Sequence, residues 1–210
     1  MILETAIHGA PDSLPLHLVE EINHRIVNEY AEAISTLSLA ASQMPAAEAR
    51  LALIRAADRL RAHAQTHRAL LPPAGGQVNL ADYVGEVCAS LSRASLADRG
   101  VRLTVDTDEI WEGSPRAWRI GLVIAELVRN AARHGLAGRD GEIAVRLTRR
   151  DAVIYCVVGD NGVRAFAPRP GRGVSLVRAL AAELGGSVDW RFGEDGCLAG
   201  LQVPVEGPRA

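Results

Sequence analysis

The sequence contains no lysine. All 23 of its basic residues are arginines, against 25 acidic residues, which leaves the 210-residue chain with a net charge of -2. The absence of lysine excludes the P-loop phosphate-binding motif, a lysine Schiff base and the lysine of the protein-kinase fold. A nearly neutral chain gives a nucleic-acid partner no electrostatic support, so we expect none.

Cysteines and long apolar runs are also scarce. Cys88, Cys156 and Cys197 show no CxxC or Cys/His ligand spacing and are odd in number. This favours buried reduced thiols in a cytosolic protein and disfavours a zinc site. No stretch approaches 18 apolar residues, and the first residues lack a basic region followed by an apolar core. We therefore expect a cytoplasmic protein without direct membrane insertion.

The first third of the chain has helical periodicity. Apolar residues recur at alternating spacings of three and four in two runs, the second of which ends in the helix-stopping "PPAGG". The first run consists of Val19, Ile22, Ile26, Ala33, Leu37, Ala40 and Met44, and the second of Leu53, Ala57, Leu60, Ala64, His67 and Leu71. The pattern predicts an N-terminal tail over 1–15 and an αα-hairpin over 16–73.

The two apolar stripes of this hairpin are too long to cover each other completely. A homodimer in which two hairpins form a four-helix bundle would bury them, and this is the arrangement that we expect. The alternative is that the hairpin packs on the rest of its own chain.

The pattern changes to mixed α/β over 77–206. Asn79 is expected to cap a helix that runs to about Arg93, and "VRLTVD" alternates as a strand. In "SPRAWRIGLVIAELVRNAARHG" we expect Ser114 as N-cap, Pro115 in the first turn and Gly135 as C-cap of a second helix.

Strands and one further helix fill the rest of this region. "EIAVRLTRR" and "DAVIYCVVGD" are predicted strands, followed by a loop over 161–172, a helix over 174–184, and strands near 187–192 and 198–203. The predicted fold class is α+β, with helices on one face of a mostly antiparallel or mixed sheet.

Two glycine-containing segments suggest an anion site. Asp160, Asn161 and Gly162 follow a strand, whereas the "GRG" that contains Gly171 and Gly173 opens a helix. Exposed amides and a positive helix end are typical of phosphate sites. Taken singly, each segment is more often an ordinary turn or helix start.

Three polar residues recur along the helix that precedes these segments. Glu126, Asn130 and His134 are spaced i, i+4 and i+8 in "ELVRNAARH" and therefore share one stripe. Such side chains can bind metal, activate water or contact phosphate. The alternative interpretation is a solvated helix face.

Together these segments resemble the ATP-binding domain of the GHKL superfamily, with its Bergerat-type α/β sandwich, and more closely that of the two-component histidine kinases. "ELVRNAARHG" is similar to the family's N box, "VVGDNG" to the first glycine box and "GRGVSLVRALAAELGGSV" to the second. The boxes occur in the family's order, and the resemblance covers about residues 80–205.

The resemblance implies ATP and Mg²⁺ as cofactors. It implies that Asn130 holds Mg²⁺ at the ATP phosphates, that Asp160 accepts a hydrogen bond from the adenine amino group, and that Gly162 admits the base. Within the same boxes it assigns the following further residues to the site: Asn161 beside the base, Gly171 and Gly173 framing a phosphate lid, Glu126 polarising the attacking group or water, and His134 contacting phosphate.

"HRIVN" in the first predicted helix resembles the HRxxN phosphoacceptor motif of a kinase subclass related to the HWE kinases. Helical geometry turns His24 away from the seam that contains Ile22 and Ile26, whereas His67 occupies a seam position. The resemblance implies that His24 is phosphorylated, whereas the seam position of His67 predicts a core or interhelical histidine that is not a second acceptor. A lone histidine on a helix is otherwise more often a surface or core residue.

Phosphorylation requires a neutral imidazole at His24. Many histidine kinases carry an acidic residue directly after the histidine, whereas this chain has Arg25. Arg25 can steady phosphate, which leaves Glu20, Glu21 or Asn28 to orient the ring. We count His24, Arg25, Asn28 and Glu126 as candidate catalytic residues.

The resemblance implies a cytoplasmic histidine kinase that forms a homodimer through the hairpin. It is expected to pass phosphate to the receiver domain of a response regulator. We expect no sensor domain of its own, so the signal would come from a separate protein. The predicted lid, residues 163–170, is short, contains two prolines and has Arg164 where a second glycine is common. The alternative is a histidine phosphotransferase relay with a degenerate ATP site, or a GHKL serine kinase acting as an anti-sigma factor.

Overall fold

The computed structural model describes residues 16–162 and 171–205, except for the side chains of residues 16–20, 22 and 23. The predicted tail over 1–15 and the predicted lid with Arg164 lie outside these residues, as does the end of the chain after 205.

The described chain begins with two long helices, α1 (Leu16–Gln43) and α2 (Ala47–Ala69). They form the predicted hairpin, joined by a short turn at Pro45. The positions buried along it are small: Ala41 is 4% exposed, Ala57 1% and Ala64 7%. Small side chains let the two helices approach closely, while larger apolar residues remain on the outside.

The α/β part contains three helices and seven strands. The helices are α3 (Leu80–Leu91), α4 (Ser114–Asn130) and α5 (Arg172–Glu183). The strands are β1 (Gln77–Asn79), β2 (Val101–Thr107), β3 (Trp111–Gly113), β4 (Gly141–Arg150), β5 (Val153–Asp160), β6 (Ser187–Gly193) and β7 (Gly196–Pro204). Tighter or wider turns extend two of the helices: a π-helical turn, Ser92–Leu96, and a 3-10 turn, Ala97–Arg99, follow α3, and a π-helical turn, Ala131–Gly135, follows α4.

Five strands form one mixed sheet in the order β2-β4-β5-β7-β6. β2 pairs with β4 in parallel, and the other pairs are antiparallel. β1 and β3 form a separate two-stranded ribbon. The predicted fold class, a helical region followed by an α/β sandwich with a mostly antiparallel or mixed sheet, is confirmed.

The core lies between the helices and one face of this sheet. Inward-facing residues alternate along β4, where Ile143, Val145 and Leu147 are at most 1% exposed. They pack against apolar residues of α4 such as Ile120 and Ile124, which are fully buried. Alternation along a strand and the helical stripe of α4 therefore determine which face of each element is buried in the core.

Local details differ from the sequence predictions at both ends of α4. Gly113 is the N-cap and Ser114 the first helical residue. The Ser114 hydroxyl donates to the Pro73 carbonyl and accepts from no amide of its own helix. Pro115 lies in the first turn, as predicted. The α-helix ends at Asn130 and continues as a π-helical turn, so Gly135 ends that turn and is not a left-handed cap.

Other boundaries shift by a few residues. The Asn79 side chain accepts from the Ala81 amide, which confirms the predicted cap of α3, but α3 ends at Leu91. α5 begins at Arg172, two residues earlier than predicted. The short strands β1 and β3 were not predicted, since three residues carry too little periodicity to identify a strand.

The hairpin also contacts the α/β part of its own chain. The Thr66 hydroxyl in α2 donates to the Ser90 carbonyl in α3 over 3.2 Å, and the Trp118 indole in α4 donates to the Leu70 carbonyl over 2.9 Å. The alternative, that the hairpin packs on the rest of its own chain, therefore holds for the C-terminal end of α2. The homodimer and the domain boundaries stay predictions.

Among the described helices, none combines the length and the apolar character needed to cross a membrane.

Candidate functional site

A cavity of about 650 Å³ opens at one edge of the α/β sandwich, between α4, the start of α5 and the sheet. This volume lies within the usual range for small-molecule sites. Its floor consists of inward-facing sheet residues, and the end of α4 and the first turn of α5 form its sides. Seven predicted site residues line it together: Glu126, Asn130, His134, Asp160, Gly162, Gly171 and Gly173.

The floor of the cavity carries one carboxyl group, that of Asp160 at the end of β5. Burial raises the pKa of Asp160, while backbone hydrogen bonds from Gly162 and Cys197 act in the opposite direction. The Gly162 amide donates to Asp160 Oδ1 over 2.9 Å. An oriented, partly buried carboxyl group with an acceptor oxygen is suited to an amino or ring N–H donor of a ligand.

Glycines around Asp160 allow the backbone to close up beneath it. A Cβ at Gly162 would collide with the Gly135 carbonyl, and a Cβ at Gly196 would collide with the Asp160 carbonyl. Gly196 also has a φ of +124°, which favours glycine. Gly162 is thus required first for backbone packing against the end of the α4 segment, whereas the sequence prediction assigned it to admit the base.

The far wall of the cavity is apolar. Trp190 and Phe192 from β6, together with Ala199 from β7 and Val158 from β5, line it. The Arg178 guanidinium lies 5.5 Å from the centre of the Trp190 ring and holds the ring in place through a cation-π contact. A flat apolar wall beside a single carboxyl acceptor fits the face and edge of a purine ring.

The opposite side of the cavity carries the polar stripe of α4. The Glu126 carboxylate lies against Gly173, since a Cβ there would collide with Glu126 Oε1. Gly173 is in the first turn of α5, whose unpaired amides carry partial positive charge. Glu126 also approaches Arg129, with 3.8 Å between the charged atoms. The helix start thus holds a carboxylate from the same chain.

Asn130 lies between these two sides. Its side-chain nitrogen is buried, and within residues 16–162 and 171–205 it has no hydrogen-bond partner. A buried amide without a partner is costly, and ligand sites are where such a cost is usually met. Because amide oxygen and nitrogen are interchangeable by a flip, the same position can present an oxygen to a cation.

This donor set fits Mg²⁺ held mainly by a nucleotide. No group of three or more His, Cys, Asp or Glu side chains in the described part of the chain could hold a metal ion. Mg²⁺ usually needs only one or two protein oxygens, with water and phosphate as its other ligands. Asn130, with Glu126 nearby, meets that need.

Asn161 is the predicted cofactor-binding residue that the structure does not bring into the cavity. Its side-chain oxygen accepts from the Glu142 amide over 2.8 Å, and its own amide donates to the Glu142 carbonyl over 3.2 Å. Asn161 therefore closes the sheet between β4 and β5, while its neighbour Asp160 faces the cavity.

Several cavity residues were not predicted from the sequence. Arg133 and Arg172 add positive charge to the wall, and Cys197 lies beside Asp160. Burial raises the pKa of the Cys197 thiol to about 11, and the Asp160 charge adds to this. Arg133 follows Asn130 by three residues, so helical spacing could have identified it. Trp190 and Phe192 give no signal beyond strand alternation.

The hairpin carries the other candidate residues. His24 and Asn28 are exposed on α1, as the seam geometry predicts for His24. Arg25 forms an ion pair with Glu21 over 2.8 Å, and both side chains are largely exposed. Of the three residues predicted to orient His24, Glu21 is thus already paired, whereas the side chain of Glu20 lies outside the described part.

His67 is the interhelical histidine that its seam position predicts. Its ring lies 5.4 Å from the ring of Tyr30 in α1, centre to centre. Burial lowers the pKa of His67, and the charges of Arg129 and His63 lower it further.

Several known proteins are similar to this chain in sequence. Residues 21–95 match the family model HisKA_2, described as "Histidine kinase", which includes His24 and the whole hairpin after it. The sensor histidine kinase PdtaS of Mycobacterium tuberculosis is 32% identical over 196 residues, which are 89% of this chain and 39% of that protein. The chain thus carries a HisKA_2 histidine kinase domain over residues 21–95 and is similar to the sensor histidine kinase PdtaS over most of its own length. It spans about two fifths of the length of PdtaS.

Solved structures of histidine kinases share the fold. The histidine kinase domain of the EL346 blue-light-activated kinase from Erythrobacter litoralis has a TM-score of 0.60 at 19% identity, covering 85% of this chain and 96% of that one. The full-length ShkA structure in complex with AMPPNP has a TM-score of 0.52 at 15% identity, covering 94% of this chain and 47% of that one.

Proposed function

We propose that this histidine kinase binds ATP with Mg²⁺ in the cavity at the sheet edge, phosphorylates His24 and passes the phosphoryl group to an aspartate of a receiver domain. The observation that supports this most directly is the cavity itself. It joins a carboxyl acceptor at Asp160, an apolar wall and a buried unpartnered amide at Asn130.

The nucleotide is proposed to lie with its base at Asp160 and its phosphates towards Asn130. Asp160 accepts from the adenine amino group, while Trp190 and Phe192 cover the face of the ring. Asn130 would supply an oxygen to Mg²⁺, which would neutralise charge on the phosphates, and Glu126 polarises the attacking group. Gly171 and Gly173 lie at the start of α5 beside the proposed position of the phosphates, and Arg133, Arg172 and His134 line the same region.

His24 is proposed as the acceptor because it is exposed on α1 within the segment that matches the histidine kinase family. A lone pair on a neutral ring nitrogen attacks the γ-phosphorus, and the bond from that phosphorus to the β,γ-bridging oxygen breaks, releasing ADP. The ring proton then leaves to a base. Since Glu21 is paired with Arg25, we propose that Asn28 orients the ring and that Arg25 steadies phosphate.

We further propose that the active form is a homodimer through the hairpin. Three large apolar side chains near the hairpin turn are substantially exposed: Leu39 at 61%, Leu51 at 48% and Ile54 at 43%. Covering them with a second hairpin would complete a four-helix bundle. A separate protein as the source of the signal is also a proposal.

Radiolabelling tests the acceptor. The purified chain is incubated with γ-labelled ATP and Mg²⁺, and the label is tested for acid lability, since phosphohistidine is acid-labile. We expect acid-labile label on the unmodified chain and on His63→Ala, a matched control on α2, and none on His24→Ala.

The alternatives give different results in the same assay. A phosphotransferase relay would take no label from ATP but would accept it from a phosphorylated receiver domain. A serine kinase would place acid-stable label on an added protein. Either result would refute the proposed function.

A further inference from the structure

A second cavity adjoins the nucleotide cavity. It has a volume of about 680 Å³ and lies between the end of α4 and the turns that follow α3. Glu126, Asn130 and Arg133 line both cavities, so the two share one wall. Arg99 and Arg129 line only the second cavity, which we call the arginine cleft.

The arginine cleft carries a surplus of positive charge. Three guanidinium groups line it, and among the described residues the single acidic group in its lining is Glu126. Arg129 contacts that carboxylate at 3.8 Å. Within the described ranges, the guanidinium groups of Arg99 and Arg133 have no hydrogen-bond or ion-pair partner. Such a cleft attracts anions, and the planar guanidinium matches the oxygens of a phosphoryl group.

The shared wall also points to a ligand. Asn130 presents there the buried side-chain nitrogen that lacks a partner in the described structure. A phosphate chain that extends from the nucleotide cavity past Asn130 would enter the arginine cleft with its terminal group. Arg133, which lines both cavities, would contact it on the way.

The cleft lies towards the end of the hairpin that carries His24. Arg129 is near enough to His67 in α2 for its charge to act on that ring. His67 in turn contacts Tyr30 in α1. His24 precedes Tyr30 by six residues, which is about 9 Å along a helix axis. Arg129 therefore lines the arginine cleft and also lies near the half of the hairpin that carries His24.

We propose that the arginine cleft binds the γ-phosphoryl group while it passes from ATP to His24, with Arg99 and Arg129 as its ligands. This proposal rests on the proposed function. The γ-phosphorus forms a bond to a ring nitrogen of His24 as its bond to the β,γ-bridging oxygen breaks. ADP keeps the electron pair of that bond, and the ring proton leaves to Glu126 or water.

Arg99 and Arg129 act on the transfer of the phosphoryl group to His24 and not on nucleotide binding. They do not line the nucleotide cavity, so they contact only the group that departs from it. Contacts made only to the γ-phosphoryl group act on the rate of its transfer and leave the affinity for Mg-ADP unchanged, because ADP lacks that group. The two arginines are thus separable from Asn130 and Asp160, which hold the nucleotide.

The test compares Arg99→Ala/Arg129→Ala with the unmodified chain. The rate of His24 labelling is measured at saturating Mg-ATP, and the affinity for Mg-ADP is measured by calorimetry. Loss of charge-stabilising donors commonly slows the chemical step by about 100-fold. We expect the double variant to lose labelling rate by that order and to bind Mg-ADP within about twofold of the unmodified chain. Arg129→Lys keeps the positive charge and should therefore label faster than the double variant.

Arg146→Ala is the matched control. Arg146 lies on the outer face of β4, away from both cavities, and pairs with Asp106. Arg146→Ala removes one positive charge, as each of the two cleft substitutions does, and should leave the labelling rate unchanged.

The outcomes separate the two proposals. If the double variant is labelled at the rate of the unmodified chain, the proposal for the arginine cleft is overturned and the proposed function is not. A parallel loss of Mg-ADP affinity would also overturn it, because the arginines would then act in nucleotide binding. An unmodified chain that binds Mg-ADP but takes no label from ATP would overturn the proposed function, and the cleft with it.

Discussion

The hairpin and the α/β sandwich differ in what they bury. Along most of the hairpin the buried positions are alanines, Ala41, Ala57 and Ala64, while Leu39 and Leu51 are exposed. In the sandwich the fully buried residues are large, among them Ile124 and Leu147. The sandwich therefore contains its own core, whereas the hairpin leaves apolar surface for another partner.

One ion pair of the sandwich is buried, whereas the ion pairs described on the hairpin are exposed. Glu112 and Arg116 pair over 2.9 Å in the sandwich, with the Glu112 side chain 1% exposed. Arg116 also donates to the carbonyls of Pro204 and Leu184 and so joins α4 to two other elements. Arg61 and Asp58 pair over 2.6 Å on the hairpin, with both side chains largely in solvent. A buried ion pair thus contributes to packing in the sandwich, whereas the ion pair on the hairpin lies at the surface.

The largest expected effect comes from breaking the buried pair. Arg116→Met leaves the Glu112 carboxylate buried without its partner, and such a change costs about 3–5 kcal/mol. Arg61→Met is the matched control on the hairpin and should cost about 0.5 kcal/mol or less. Urea unfolding measures both free energies of unfolding. Equal losses would contradict the difference between the two regions.

Truncation of apolar residues should give the next largest difference. Leu147→Ala opens a cavity in the core and should lower the free energy of unfolding by about 2–5 kcal/mol. Leu51→Ala, at an exposed position, should lower it by about 0.5 kcal/mol or less. If two hairpins form a bundle, Leu51→Ala should instead weaken dimerisation in sedimentation measurements. An unchanged dissociation constant would count against Leu51 in that interface.

A smaller effect is expected in the nucleotide cavity. Asp160→Asn removes the charge of the acceptor and should weaken Mg-ADP binding by about 10- to 100-fold, since hydrogen bonds to charged groups contribute about 1.5–3 kcal/mol. Calorimetry measures the affinity, with Asp106→Asn on the outer sheet face as control. An affinity equal to that of the unmodified chain would remove Asp160 from the site.

The pH dependence of the same binding gives a second measurement. Burial raises the pKa of Asp160, so its carboxylate takes up a proton at a higher pH than an ordinary aspartate. Because the ligand binds the ionised form, the affinity should fall on acidification, beginning above the usual range for aspartate. Asp160→Asn should lack this dependence.

The smallest expected effect concerns His67. Its pKa is lowered in the folded chain, so the unfolded chain binds more protons once the pH falls below about 6.5. Stability should therefore fall as the pH decreases from that value towards the folded pKa. His67→Gln, compared by thermal unfolding at pH 5.5 and 7.5, should show a smaller loss on acidification. An identical loss would exclude His67 as a contributor.

Much of the sandwich was predictable because its signals are local. Strand alternation identified β4 and β5, and the cap at Asn79 identified the start of α3. The stripe of Glu126, Asn130 and His134 was predictable from helical spacing, and all three line the cavity. Ser114 shows the limit, since its hydroxyl bonds to Pro73, 41 residues away, where local preference favours a cap.

The parts that were not predictable depend on distant contacts. Asn161 is next to Asp160 in sequence, yet it pairs with Glu142 and faces away from the cavity. Trp190 and Phe192 reach the cavity only because β6 lies at the edge of the sheet beside β7. Arg99 and Arg129 share a cleft only because the ends of α3 and α4 pack together.

The sequence by itself determined the longer helices and strands, the polar stripe of α4, the outward position of His24 and the resemblance to histidine kinases, because periodicity and motif spacing are properties of neighbouring residues. The tertiary structure decided which residues face a common space. Asp160 and Asn130 meet across the nucleotide cavity, and Arg99 meets Arg129 and Arg133 beside it, because sheet order and helix packing bring together residues that are distant in sequence.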